Sequence, residues 1–101
     1  MPVTVTVQNR EMIAALSGEV DHHGARAMMD ALDRAIGAQL PLQLEVDMSG
    51  VTFMDRSGLA LLIRARRAMD GLGGALRVVN VPVQPRRVLD AAGLGRIIPI
   101  E

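Results

Sequence analysis

The sequence predicts an α/β domain with a mixed sheet of four to five strands and helices mainly on one face. Two observations carry this: apolar period changes along the chain from two to about 3.6 and back, and the clearest internal strand alternates apolar with polar residues. A strand covered by helices on both faces would instead read as a continuous apolar run. With 101 residues and no linker, repeat or low-complexity segment, residues 1–101 form a single domain around one modest core.

Val3 to Val7 alternates with Thr4 and Thr6, and a second β-like run covers Glu11 to Leu16. The polar Gln8-Asn9-Arg10 between them reads as a hairpin turn, and Gly18 closes the unit. Asp21 is placed to cap a helix with Ala25, Met28, Met29, Leu32, Ala35 and Ile36 on one face. Gly37 and Pro41 bracket its end. Leu42, Leu44, Val46 and Met48 then alternate with Gln43, Glu45 and Asp47, which predicts a strand with one buried side.

A loop is expected over residues 49–55, followed by a helix with Leu59, Leu62, Ile63 and Met69 inward and Arg64, Arg67 and Asp70 outward. Gly71, Gly73 and Gly74 stop it. Ala75 to Val79 reads as a strand, and Pro82 and Pro85 open a short helix with Val88, Leu89 and Ala92. After Gly93 and Gly95, Ile97 to Ile100 is a possible short last strand. The predicted order is ββαβαβα, with parallel strands joined by crossover helices.

Composition excludes several functions. Eleven basic residues, all Arg, balance eleven acidic ones, so the long-range field of a nucleic-acid or anionic-membrane binder is missing. Phe53 is the sole aromatic, which leaves no base-stacking platform and a core built from aliphatic residues and the seven Met. Phe53 is expected to anchor that core, whereas Met54 is expected to stay partly exposed as a soft partner contact. Without cysteine there is no disulfide framework or thiolate metal site. Absence of a leader-like start or a long apolar run makes a cytoplasmic protein the expectation.

Asp47-Met48-Ser49-Gly50-Val51-Thr52-Phe53-Met54-Asp55-Arg56-Ser57-Gly58-Leu59 leads from a strand into a helix and places the Ser57 hydroxyl at the helix start. Unpaired N–H groups and the positive end of the helix dipole favour an anion there. A phosphate on Ser57 would add about −1.5 to −2 charges beside Asp55 and repel a partner fitted to the neutral hydroxyl. Taken as residue types alone, Asp55 and Ser57 equally suit a simple helix cap.

Other chemistries fit poorly. Adjacent His22 and His23 point in different directions and have no Cys or HxxxH partner, so no metal site is expected. Asp55 occupies the position where a nucleophile elbow needs glycine, and the chain is short for an enclosed substrate pocket; no enzyme activity, catalytic residue or cofactor is expected. Gly71, Gly73 and Gly74 follow a helix and lack the lysine of a phosphate-binding loop. The Arg64, Arg66 and Arg67 cluster reads as a solvated face offset by Asp70.

Gly18-Glu19-Val20-Asp21-His22-His23, Phe53-Met54-Asp55-Arg56-Ser57-Gly58-Leu59 and Ala92-Gly93-Leu94 together resemble the STAS family and, within it, the bacterial anti-sigma factor antagonists. The resemblance spans nearly the whole chain. It implies a phosphorylation site at Ser57 and a partner surface formed by Asp21, Met54, Asp55, Arg56, Ser57 and Gly58. It also implies partner switching: the unphosphorylated protein binds an anti-sigma factor that is a serine kinase and frees the sigma factor, phosphorylation releases it, and a phosphatase restores it. No direct nucleic-acid or membrane contact is implied. Arg56 departs from the small residue usual in the family, and could pair with Asp55, a partner carboxylate or the phosphate. Two other roles remain open: a STAS subunit of a transporter or lipid-export complex, and a constitutive binder that is not phosphorylated.

Overall fold

The computed structural model describes residues 2–101. Strand β1 (Val3–Gln8) and strand β2 (Glu11–Val20) form a hairpin where one is predicted, with Gln8 opposite Glu11 across a two-residue turn, but Gly18 does not close the unit: β2 runs past Leu16 and through Gly18 to Val20, paired there with β3. Asn9 and Arg10 both have positive φ, 54° and 63°. This is the backbone whose twist matches a hairpin, although glycine is the usual second residue. Arg10 compensates by bonding: its Nε and Nη2 donate to the Leu40 carbonyl at 3.3 and 2.9 Å.

That carbonyl ends helix α1 (His22–Gln39). The helix runs past Gly37, whose α-carbon faces open space, and stops where Leu40 turns left-handed (φ 47°) ahead of Pro41. Its buried face is Ala25, Met28, Leu32 and Ile36, with Met29 and Ala35 at the margin. Asp21 caps it as predicted, Oδ1 accepting the Gly24 N–H at 2.7 Å.

Strand β3 (Gln43–Met54) is longer than its alternation suggests, because the segment expected to be a loop continues pairing with β2 to Val20 opposite Met54. Two register shifts explain the difference. Each adds a residue on β3, so burial changes from Leu44, Val46 and Met48 to Val51 and then Met54. The expected roles of Phe53 and Met54 are therefore exchanged. Phe53 is 44% exposed and Met54 is fully buried.

Helix α2 (Ser57–Gly71) buries Gly58, Leu61, Leu62, Ala65 and Met69, while Leu59 and Ile63 lie at the edge of that face. Strand β4 (Ala75–Val79) pairs in parallel with residues 43–47 of β3. Helix α3 (Val83–Ala91) follows Pro82, with Pro85 and Leu89 buried. The chain closes with a 3-10 turn, Leu94–Arg96, and Ile100 forms a single parallel bridge to Val78 in place of a full last strand.

The mixed sheet has the order β1-β2-β3-β4, with β1 antiparallel to β2 and the remaining pairs parallel. Met12, Ala14, Leu16, Leu44, Val46, Leu76 and Val78 point into one helical layer. On the opposite face Ile13 is 41% exposed and the Arg77 Nη2 to Glu45 Oε1 pair, at 2.7 Å, lies across β3 and β4. Helices thus cover one side, as the alternation of β3 requires.

Candidate functional site

The two parallel central strands deliver the site. β2 ends at Val20 and β3 at Met54, side by side, and the Asp55 N–H donates to the Val20 carbonyl at 3.2 Å. Helices α1 and α2 therefore start next to each other, with Asp21 before the first and Asp55 before the second. Two positive helix ends meet in one place.

Asp55 responds to both. Its Oδ1 accepts the Ser57 N–H at 2.7 Å and its carbonyl accepts the Gly58 N–H at 3.0 Å, so Asp55 caps α2 by side chain and backbone. The Ser57 N–H, then burial opposing it, then the Ser57 hydroxyl and the N–H and charge of His22 set its acidity; the net result holds the Asp55 carboxyl below the usual range. The carboxylate is the resident anion of the junction. Ser57 itself is half-buried at the first position of α2.

Gly58 has a steric reason to be glycine. A Cβ there would lie 2.4 Å from Met54 Cε and 2.7 Å from its Cγ, inside any permitted contact. Helix α2 therefore rests on the Met54 side chain at Gly58, and Met54 is enclosed instead of presented to a partner. The expectation of an exposed Met54 contact is corrected on this ground. Gly24 is constrained likewise at the start of α1, where a Cβ would lie 2.5 Å from the Glu19 carbonyl oxygen.

Arg56 is exposed, and among the described residues it forms no ion pair. Of the three pairings open to it, the one with Asp55 is not made. His22 and His23 are exposed at the first turn of α1, and no group of three or more metal-binding side chains occurs among the described residues.

One residue of the site had no signal in the sequence. Gln84, on α3, bonds to both backbone groups of Met54: Oε1 accepts the Met54 N–H at 2.8 Å and Nε2 donates to the Met54 carbonyl at 2.8 Å. β4 pairs only with residues 43–47 of β3, so the last part of β3 lacks a neighbouring strand on that side. The amide of Gln84 supplies the missing partner and ties α3 to the residue preceding Asp55. Beside it lies an open depression of about 680 Å³ lined by Arg56, Leu59, Gln84, Arg87, Val88 and Ala92. It combines two arginines with an apolar floor.

The site thus holds a half-buried serine at the start of α2, a capping carboxylate two residues before it and an exposed adjoining surface. The chain belongs to the STAS domain family, whose pattern it matches over residues 2–101. It is 33% identical over 89 residues to the anti-sigma F factor antagonist of Paenibacillus polymyxa, covering 88% of this chain and 76% of that protein. Among solved structures it is similar to an anti-sigma factor antagonist from Mycobacterium paratuberculosis, with 26% identity, a TM-score of 0.86, and coverage of 97% of this chain and 82% of that one. The anti-sigma factor antagonist SpoIIAA in its unphosphorylated form shares the fold at a TM-score of 0.82 and 24% identity, over 98% of this chain and 87% of the other.

Proposed function

We propose that this protein is a cytoplasmic anti-sigma factor antagonist. Its unphosphorylated form binds an anti-sigma factor that is also a serine kinase, thereby freeing a sigma factor. Phosphorylation of Ser57 releases the partner, and a phosphatase resets the cycle. Asp21, Asp55, Arg56 and Ser57 form the contact surface; Gly58, expected there as well, is buried against Met54 and supports that surface from inside.

The observation that carries the reading is the occupied helix end. The Ser57 N–H, which would otherwise receive a phosphate, is already bonded to Asp55 at 2.7 Å. A phosphoryl group on Ser57 has two options: displace the Asp55 carboxylate, or remain outward next to it. Either outcome places roughly two extra negative charges on the contact surface. A complementary partner meets like charge and must desolvate it. The relative from Paenibacillus polymyxa bears the name of an anti-sigma F factor antagonist, which favours this partner class.

The test is incubation of the protein with candidate anti-sigma kinases and ATP, followed by mass spectrometry. A single phosphate on Ser57, absent from Ser57→Ala, is expected. Phosphate elsewhere, with Ser57 untouched, would contradict the reading. A second reading, a constitutive binder, is favoured by the unpaired Arg56 next to Ser57; it predicts tight binding to the anti-sigma factor with no phosphate transfer.

A further inference from the structure

The outer edge of β1 is unusual for an edge strand. Val3–Gln8, sequence VTVTVQ, contains no charge, no proline and no bulge across its register with β2. Those are the usual devices that keep edges from pairing. At the far end from the turn, the Ser17 N–H donates to the Pro2 carbonyl at 2.9 Å, so the backbone of residue 2 faces β2. At the near end Gln8 and Glu11 flank a two-residue turn and form a bonded pair, so Gln8 faces β2 as well. Antiparallel strands alternate the side to which each residue directs its N–H and C=O. Thr4 and Thr6 therefore bond inward, and Val3, Val5 and Val7 direct their backbone groups outward.

We infer that this edge is a self-recognition surface, through which two copies of the chain pair antiparallel about Val5. In that register Val5 faces Val5 of the second copy, Val3 faces Val7, and Thr4 faces Thr6. Every outward N–H and C=O of the three valines then meets its counterpart, because the three residues that face out are the three that the two-fold axis matches. The side chains are self-complementary too. The valine row lies on the helical side, in line with Leu16, Ala14 and Met12, and covers Val7, which is 39% exposed in one copy. The threonine pairs lie on the open face of the sheet, a favoured cross-strand combination.

A two-fold axis makes such a contact closed, so it yields a dimer and not a fibre. The two four-stranded sheets merge into one. Because β2 and its symmetry mate run in opposite directions, the two Ser57 sites lie at opposite ends of the assembly and both remain open. A pair of six-residue strands is smaller than a standard interface, so the dimer is expected to be concentration-dependent.

Sedimentation velocity on the full chain, from about 1 μM to about 1 mM, tests this. Wild type should shift from monomer to dimer across that range. Thr4→Lys/Thr6→Lys places like charges opposite each other and should weaken the dimer by at least tenfold. Thr4→Glu/Thr6→Lys places opposite charges in every such pair and should retain or strengthen it. Both threonines are exposed, and far-UV circular dichroism confirms that each variant is folded. A wild-type monomer throughout the range would overturn the inference. So would a dimer that both double variants affect equally, or that neither affects, since the Val5 register alone predicts opposite responses.

Discussion

Replacing Gln84 by Met would remove the two hydrogen bonds to Met54 while keeping the length and most of the volume of the side chain. Each bond is worth about 1 kcal/mol net, and a backbone group left without a partner costs about 1–3 kcal/mol when water is excluded. The pair is only part-buried, so water recovers some of the second term. A loss of about 2 kcal/mol follows. Unfolding entropy of about 2.1 cal/mol/K per residue gives roughly 0.2 kcal/mol/K for a chain of 101 residues, so the melting temperature should fall by about 10 °C. Urea denaturation should show a lower midpoint at unchanged slope. Amide exchange at Met54 should accelerate more than at Val46, which keeps its strand neighbours on both sides. A stability loss below about 0.5 kcal/mol, with Met54 exchange unchanged, would refute the role of Gln84 as a substitute strand partner.

Other substitutions probe the junction in different ways. Gly58→Ala forces Met54 to move; overpacking costs about 1–3 kcal/mol and is offset by up to about 1 kcal/mol of helix propensity, so a modest net destabilisation is expected in thermal melts. Arg56→Ser should leave the melting temperature within about 3 °C, since the side chain is exposed and forms no ion pair among the described residues; if Ser57 is phosphorylated as proposed, the rate of phosphate transfer from an anti-sigma kinase should change. Asp55 and Asp47 both have acidity raised in the folded state, by the Ser57 N–H and the Ser49 N–H respectively. A carboxyl whose folded pKa is depressed adds stability that is present above its ordinary value of 3.8 and is lost as pH falls through the lower folded value. Urea midpoints should therefore drop on acidification below about pH 4, and the drop should be smaller in Asp47→Asn/Asp55→Asn.

What the sequence revealed depended on whether a residue's role is local. The Asp21 cap, the hairpin turn at Asn9-Arg10, the amphipathic face of α1 and the one-sided strand through Leu44, Val46 and Met48 all follow from neighbours a few positions apart and are found, whereas Gln8 belongs to β1 and Leu42 lies outside β3 and is exposed. Beyond Met48 the period-2 rule fails because each bulge shifts the inward side by one residue, and register is a property of two strands. Hence Phe53, the larger side chain, is exposed and Met54 is buried. The Ser57 position at a helix start was legible, as was Asp55 beside it. Gln84 was not, since its contacts lie 30 residues away in the chain and no periodic pattern marks a polar residue that completes a sheet edge. Gly58 carried a signal only as part of a motif; its reason, contact with Met54, needed the packing of α2 on β3.

The central claim is that charge added at Ser57 breaks a partner contact without disturbing the fold. Titration calorimetry of the proposed partner, an anti-sigma factor of the serine-kinase class, against wild type, Ser57→Ala and Ser57→Asp tests it most directly. Ser57→Ala should bind as wild type, and Ser57→Asp, with an unchanged melting temperature, should bind at least about tenfold more weakly, or about 1.4 kcal/mol. Equal affinity for all three proteins would place the partner surface elsewhere and contradict it.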